Sequence, residues 1–249
     1  MSLHPLYVLA PAAALATLLG GWLVVRFFRG KSSLMRHMSG LAAGYLVAVT
    51  LMRLLPEAME HGGHRMAMWA LGGFFLVHLL EHGLSTHFHY GEETHAHETT
   101  WLTGVMALVG LSLHSFMDGM ALMAAVCTDG TLGLLVFLGI LLHRIPEGAT
   151  ISSIFLVQGF GARGAVLAAG GLALAAWLGA FSQGWLSLPV GPVLALSAGL
   201  SLYVASADLL PQAQKEKGWK STLGLAAGIL LFLLTSYLVD HGHGHAHHH

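Results

Sequence analysis

Residues 131–157 read "TLGLLVFLGILLHRIPEGATISSIFLV", an apolar run that is long enough to cross a bilayer as a helix. His143, Arg144 and Glu147 stand near its middle, with Pro146 beside them. A charged side chain at the centre of a bilayer costs about 2.5–3.5 kcal/mol even on the mildest scale, so these groups need partners. The stretch therefore predicts a spanning helix that carries a polar site.

The composition is that of an integral membrane protein. Of the 249 residues, 55% are hydrophobic and only 9% are charged, whereas soluble domains carry about 25% charged residues. Cys127 is the one cysteine, which excludes an internal disulfide and a cysteine-based metal site. The net charge of −1 gives a nucleic-acid partner no electrostatic support.

We predict an all-α fold with eight transmembrane helices in a single domain over residues 1–240. The predicted helices, in order, are 4–28, 34–58, 66–88, 101–127, 131–157, 163–186, 190–213 and 219–240. The first lacks a basic flank and a small-residue cleavage site, so we expect a retained helix and not a signal peptide. Two His-rich segments, a loop at about 82–100 and a tail at 241–249, complete the chain.

The basic residues predict the orientation in a cell (inner or plasma) membrane. The first, third, fifth and seventh connections between predicted helices lie on one side of the membrane. The basic residues in or beside them are Arg26, Arg29, Lys31, Arg36, Arg163, Lys215, Lys217 and Lys220. The opposite side holds only Arg65. Because positive residues favour the cytoplasmic side, we expect the 82–100 loop inside the cell and both termini outside it.

Two halves of the chain share a short pattern. "LLPEAME" (54–60) ends predicted helix 2, and "LLPQAQKE" (209–216) ends predicted helix 7. Ala43-Gly44 maps onto Ala198-Gly199 at the same offset. Since these two helices run in opposite directions, the pattern predicts an inverted repeat of helices 1–3 and 6–8 around a central 4/5 pair, an arrangement typical of transporters.

The central pair carries the candidate metal site. "HSFMDG" (114–119) and "HRIPEG" (143–148) each place a histidine four residues before a carboxylate. Residues i and i+4 share a helix face, so His114, Asp118, His143 and Glu147 are expected to meet at one depth between two antiparallel helices. Two imidazoles and two carboxylates suit a divalent transition metal, zinc above all. For either motif alone, a hydrogen-bonded structural histidine, or an ion pair between a carboxylate and Arg144, explains the residues equally well.

These motifs resemble those of the ZIP family (Zrt/Irt-like proteins) of metal transporters. "LLPEA" in predicted helix 2 and "LYVASADLLP" (202–211) in predicted helix 7 are also similar to that family's signatures. The resemblance implies uptake of Zn²⁺, or of Fe²⁺, Mn²⁺ or Cd²⁺, into the cytoplasm without an organic cofactor. It also implies an elevator-like movement of helices 1, 4, 5 and 6 against 2, 3, 7 and 8, and a homodimer.

The chain departs from the family pattern beside the motif histidines. Many members hold a second metal there, using the residue after each histidine and a carboxylate in helix 6. Here those residues are Ser115 and Arg144, and the range 164–207 contains no charged residue and no histidine. A fixed positive charge on Arg144 would repel a second cation, so Ser115 and Arg144 are candidates for second-site or gating residues.

Further polar residues are candidates for the ion path. His78, Glu81 and His82 approach the cytoplasmic end of predicted helix 3 and could relay ions, or could form a polar interfacial turn. Asp208 could line the release path or pair with a lysine of the next loop. Glu57, near the outer end of predicted helix 2, could recruit ions or simply be solvated.

Three other functions compete with metal uptake. The metal motifs would also serve an intramembrane zinc hydrolase, although the chain has no HExxH motif. A zinc exporter of the cation-diffusion type usually has six helices and a soluble domain, unlike this chain. A metal sensor derived from a transporter would retain the ligands without moving the ion.

Overall fold

The fold is a bundle of long helices, seen in a computed structural model that describes residues 6–27, 32–83, 101–215 and 219–244. All regular structure within these ranges is helical. The α-helices are α1 (Leu6–Phe27), α2 (Ser32–Val49), α3 (Leu55–Gly62), α4 (Met66–Gly83), α5 (Trp101–Thr128), α6 (Gly130–Val157), α7 (Gly161–Leu186), α8 (Val190–Tyr203), α9 (Leu210–Gln214) and α10 (Lys220–Gly244). Two π-helices, Thr50–Leu54 and Val204–Leu209, and a 3-10 turn, Gly63–Arg65, lie between them. The predicted all-α membrane fold is confirmed.

Helix bounds follow the apolar runs of the sequence. The predicted helix 101–127 is α5 and the predicted helix 131–157 is α6, so the two metal motifs lie on these neighbouring helices. The helix that was predicted to end at residue 58 continues to Gly62. The His-rich loop, apart from the last turn of α4, lies outside the described residues.

Seven stretches of the described residues are long and apolar enough to cross a membrane. One of them, Arg36–Leu79, is 44 residues long. As a straight helix it would extend about 66 Å, twice the roughly 30 Å of a bilayer core. It is broken at Gly63, whose positive φ of 66° is a conformation that glycine adopts without steric cost.

Both π-helices stand directly before a Leu-Pro pair. Leu55-Pro56 opens α3 and Leu210-Pro211 opens α9. Proline has no N–H to donate, and its ring clashes with the carbonyl four residues earlier in a regular helix. A wider π turn at that place accommodates both effects, which explains why the two irregular segments recur at these positions.

A close helix crossing holds α5 against α7. A Cβ on Gly119 of α5 would lie 1.9 Å from the carbonyl oxygen of Ala176 in α7, and a Cβ on Gly179 would lie 1.9 Å from that of Phe116. The two backbones therefore touch, as small residues allow in membrane helices. Because Gly119 follows Asp118 directly, this crossing fixes the depth of the candidate metal site.

The Gly119 crossing yields a first prediction. Gly119→Ala is expected to lower the unfolding temperature of the detergent-solubilised protein by several degrees, since the helices must separate to admit the methyl group. Gly110→Ala is the matched control on the same helix, because a Cβ there meets nothing within 4 Å. It is expected to be neutral or slightly stabilising. Equal unfolding temperatures for the two variants would contradict this account of the crossing.

Candidate metal centre

Three of the four predicted ligands come together at the middle of α5 and α6. His114 and Asp118 lie one turn apart on α5, and His143 faces them from α6. All three side chains are buried, with exposures of 2%, 2% and 1%. Their nearest ligand atoms lie within 4.8 Å of one another.

Asp118 is the centre of the group. Its Oδ2 lies 2.9 Å from Nε2 of His143 and 3.3 Å from Nε2 of His114. Two ligand atoms that each lie about 2.1 Å from a tetrahedral zinc ion are about 3.4 Å apart. The observed spacing is thus close to what one metal ion needs, and small side-chain movements would complete it.

The hydrogen bonds of the two histidines also suit a metal. Nδ1 of His143 lies 2.8 Å from the carbonyl oxygen of Gly139, which can only accept, so Nδ1 carries a proton, and Nε2, 2.9 Å from Oδ2 of Asp118, is the nitrogen that would bind a metal ion. A carbonyl partner on the second nitrogen is the usual way to orient a metal-binding imidazole. Neither ring nitrogen of His114 makes a hydrogen bond within the described residues. Buried nitrogens without partners are costly, and a metal ion would remove that cost.

Glu147, the fourth predicted ligand, is engaged elsewhere. Its Oε1 accepts a hydrogen bond of 3.0 Å from Ser115, and its Oε2 lies 3.0 Å from Nη1 of Arg144. Nη2 of the same guanidinium lies 3.2 Å from Oδ2 of Asp118. Arg144 therefore binds both carboxylates of the site at once. These ion pairs offset the cost of the charges in the middle of α6.

The predicted path residues are spread over the protein. Glu57 lies on α3 at the partly exposed end, where its Oε1 is 3.6 Å from Nδ1 of His61. His78 of α4 packs its ring against Tyr203 of α8, at a centroid distance of 6.0 Å. Glu81 and His82 belong to the last turn of α4, and their side chains lie outside the described part of the structure.

Asp208 does share a space with the central site. It lines a cavity of ≈ 30 Å³ together with Glu147, Thr150, Gln212 and three apolar side chains, which make up most of its wall. Thr150 and Gln212 were not predicted. Thr150 follows Glu147 by three residues and so shares its helix face, a signal that the sequence contained. Gln212, on α9, reaches the site only through the packing of the helices, whereas the Gly139 carbonyl precedes His143 by one turn of the same helix.

Known proteins with a related sequence are zinc transporters. Zinc transporter ZIP13 of Pongo abelii is 27% identical over an alignment 230 positions long, which covers 83% of this chain and 68% of that protein. Zinc transporter ZupT of Akkermansia muciniphila is 29% identical over an alignment 260 positions long, which covers 92% of this chain and 95% of that protein. Zinc transporter ZIP4 of Homo sapiens is 32% identical over an alignment 149 positions long, which covers 54% of this chain but 22% of that longer protein.

The family assignment follows from these matches and from the site. The sequence model described as ZIP zinc transporter matches residues 91–236, more than half of the chain, and that range includes both metal motifs. Its members are metal-ion transporters of the membrane and not enzymes, so the hydrolase interpretation of the same ligands is set aside. The chain is a multi-pass membrane protein that belongs to the ZIP zinc transporter family.

Proposed function

We propose that this protein moves a divalent transition metal, zinc in the first place, into the cytoplasm through the site between α5 and α6. The observation that carries the proposal is the buried group of His114, Asp118 and His143, whose ligand atoms are spaced for one ion. Two imidazoles and a carboxylate suit zinc, and incomplete coordination by protein leaves room for exchange. Related proteins that are named zinc transporters support the same cargo.

The cavity beside Glu147 supports a release path toward Asp208. Its volume of ≈ 30 Å³ has room for about one water molecule. Glu147 and Asp208 at its wall supply negative charge, and Thr150 and Gln212 supply neutral oxygens. The distribution of basic residues favours the cytoplasmic side for the nearby end of α9, with Lys215. An ion that leaves the central site through this cavity therefore moves inward.

Asp208 gives a test of that path. Asp208→Asn is expected to lower the rate of zinc uptake by about tenfold, the lower end of the effect of charge-lined clefts on ion association. Zinc affinity at the central site should stay within about twofold, because Asp208 is not among the three clustered ligands. Uptake and equilibrium zinc binding, measured on the same preparation, check this. A wild-type uptake rate in Asp208→Asn would exclude the path.

The helix crossings support an elevator-type movement of two helix groups. Reciprocal glycine contacts join α1 to α6 and α5 to α7. In the other group they join α2 to α10, through Gly44 and Gly228, and α4 to α8, through Gly73 and Gly199. In each of these pairs, a Cβ on one glycine would approach a backbone carbonyl oxygen of the partner helix within 2.2 Å. Backbones packed this closely move together, which makes each of the four pairs a unit from which the two groups are built.

These crossings also support the predicted inverted repeat and the predicted number of eight transmembrane helices. The repeat that relates residues 54–60 to 209–216 exchanges α2 with α8 and α4 with α10, so it maps the α2–α10 crossing onto the α8–α4 crossing. The two π-helices, Thr50–Leu54 and Val204–Leu209, fall at matching positions of the two halves. The break at Gly63 divides the long stretch Arg36–Leu79 into two crossings and brings the seven stretches to eight.

The decisive experiment is zinc-65 uptake into proteoliposomes. Wild-type protein is compared with the double variant His114→Ala/His143→Ala, and with wild type in the presence of Fe²⁺, Mn²⁺ or Cd²⁺. We expect saturable uptake by wild type and background uptake by the double variant. A competing ion that lowers zinc-65 uptake by wild type is a further cargo ion. Zinc binding without uptake would instead indicate a metal sensor, and equal uptake by both proteins would refute the site.

A further inference from the structure

Arg144 makes four hydrogen bonds, more than an ion pair with a single carboxylate would need. Its Nη1 donates to Ser115 Oγ and to Oε2 of Glu147, while Nη2 donates to the Ser115 carbonyl at 3.1 Å and to Oδ2 of Asp118. Its side chain has no exposed surface. The planar, permanently charged guanidinium is therefore fixed between α5 and α6 at the edge of the metal group.

One carboxylate oxygen is shared between this guanidinium and the metal ligands. Oδ2 of Asp118 faces His143 at 2.9 Å, Arg144 at 3.2 Å and His114 at 3.3 Å. An ion that binds both imidazoles must bind at this oxygen as well, because it is the carboxylate atom nearest to both. Metal and guanidinium thus compete for the same lone pairs.

The charge balance points the same way. With neutral imidazoles, the two carboxylates and the guanidinium give the empty site a net charge of −1, and a bound divalent ion brings it to +1. Without Arg144 the empty site would be −2 and the loaded site neutral. Buried charges are weakly screened, so the arginine disfavours the loaded state strongly.

We propose that Arg144 is a built-in competitor of the transported ion, and that it sets the affinity of the central site low enough for release. In the empty site the guanidinium binds Asp118 and Glu147 together and offsets one of their two negative charges. When a metal ion binds, the guanidinium gives up Oδ2 of Asp118 and retains Glu147 and Ser115. Return of the guanidinium to Asp118 then displaces the ion toward the cavity beside Glu147.

The test measures zinc binding by the full-length chain at chelator-buffered free zinc. The double variant His114→Ala/His143→Ala, which retains the loop and tail histidines, provides the background to subtract. Arg144→Gln is expected to lower the Kd of the central site at least tenfold, about 1.4 kcal/mol, and to slow zinc dissociation by a similar factor. Uptake turnover should fall although binding is tighter.

Arg53→Gln is the matched control. Arg53 lies within the long apolar stretch Arg36–Leu79, and its Nη2 donates to Ser236 of α10 at 2.7 Å instead of to the metal group. It is expected to leave the Kd unchanged. A folded Arg144→Gln protein whose Kd equals or exceeds that of wild type would overturn the proposal, since the arginine would then only hold the ligands in position.

Two variants decide the question if Arg144→Gln does not fold. Arg144→Lys retains the charge but replaces the two guanidinium nitrogens that hold the two carboxylates with a single nitrogen, and Ser115→Ala removes a hydroxyl that anchors the guanidinium. Both variants are expected to bind zinc more tightly than wild type. The gain in affinity should be smaller than the gain in Arg144→Gln, which loses the charge altogether. An unchanged Kd in both would overturn the proposal. This inference rests on the proposed function, whose own failure is distinct: wild type would then bind no more zinc than the background variant.

Discussion

Asp118→Asn is expected to abolish zinc uptake and to weaken zinc binding at the central site by at least about 100-fold. Loss of a residue that merely supports a metal ligand already costs 10–100-fold in affinity, and Asp118 is the direct contact of both histidines. The amide retains the shape of the side chain but removes the charge that attracts the ion and neutralises Arg144. Zinc-65 uptake and equilibrium binding of the inserted protein measure the effect.

Asp129→Asn is the matched control for this substitution. Asp129 caps the N-terminus of α6, where its Oδ2 accepts a hydrogen bond of 2.8 Å from the backbone N–H of Leu132. Asparagine caps helices about as well as aspartate, so uptake should be close to that of wild type. His114→Ala and His143→Ala are expected to resemble Asp118→Asn. Wild-type uptake in any two of these three ligand variants would refute the site.

Glu147→Ala is expected to abolish most uptake for a different reason. The substitution leaves the buried guanidinium of Arg144 with Asp118 as its remaining carboxylate partner. Breaking a buried ion pair by removal of one member costs about 3–5 kcal/mol, so the unfolding temperature should fall as well. The released guanidinium is then expected to hold Asp118 more firmly and to exclude the metal.

A double variant separates the two effects of Glu147. Arg144→Gln/Glu147→Gln removes both charges and leaves two amides of similar size, so the stability lost in Glu147→Ala should largely return. Zinc binding should return as well, because His114, Asp118 and His143 remain, while uptake should stay impaired without the acidic wall of the cavity. If the double variant is no more stable than Glu147→Ala, the ion pair is not what Glu147 provides.

The sequence determined the helices and the composition of the candidate metal site because both are local properties. Apolar runs of about 20 residues form spanning helices whatever surrounds them, since the bilayer leaves the backbone no other way to satisfy its hydrogen bonds. The four-residue spacing of His114 and Asp118 places them on one face of α5 for the same local reason. The all-α membrane fold and the family could therefore be predicted before the structure was known.

Only the tertiary structure distinguished Asp118 from Glu147. Both carboxylates stand four residues after a histidine, so their spacing gives them equal roles. The three-residue spacing of Arg144 and Glu147 is local. The difference arises because Ser115 of α5 bonds to both of them, at a distance that the packing of α5 and α6 sets. Likewise, Asp208 meets Glu147 across a cavity although the two are far apart in sequence. Contacts of this kind depend on how closely the helices cross, and no periodicity within a single helix encodes that distance.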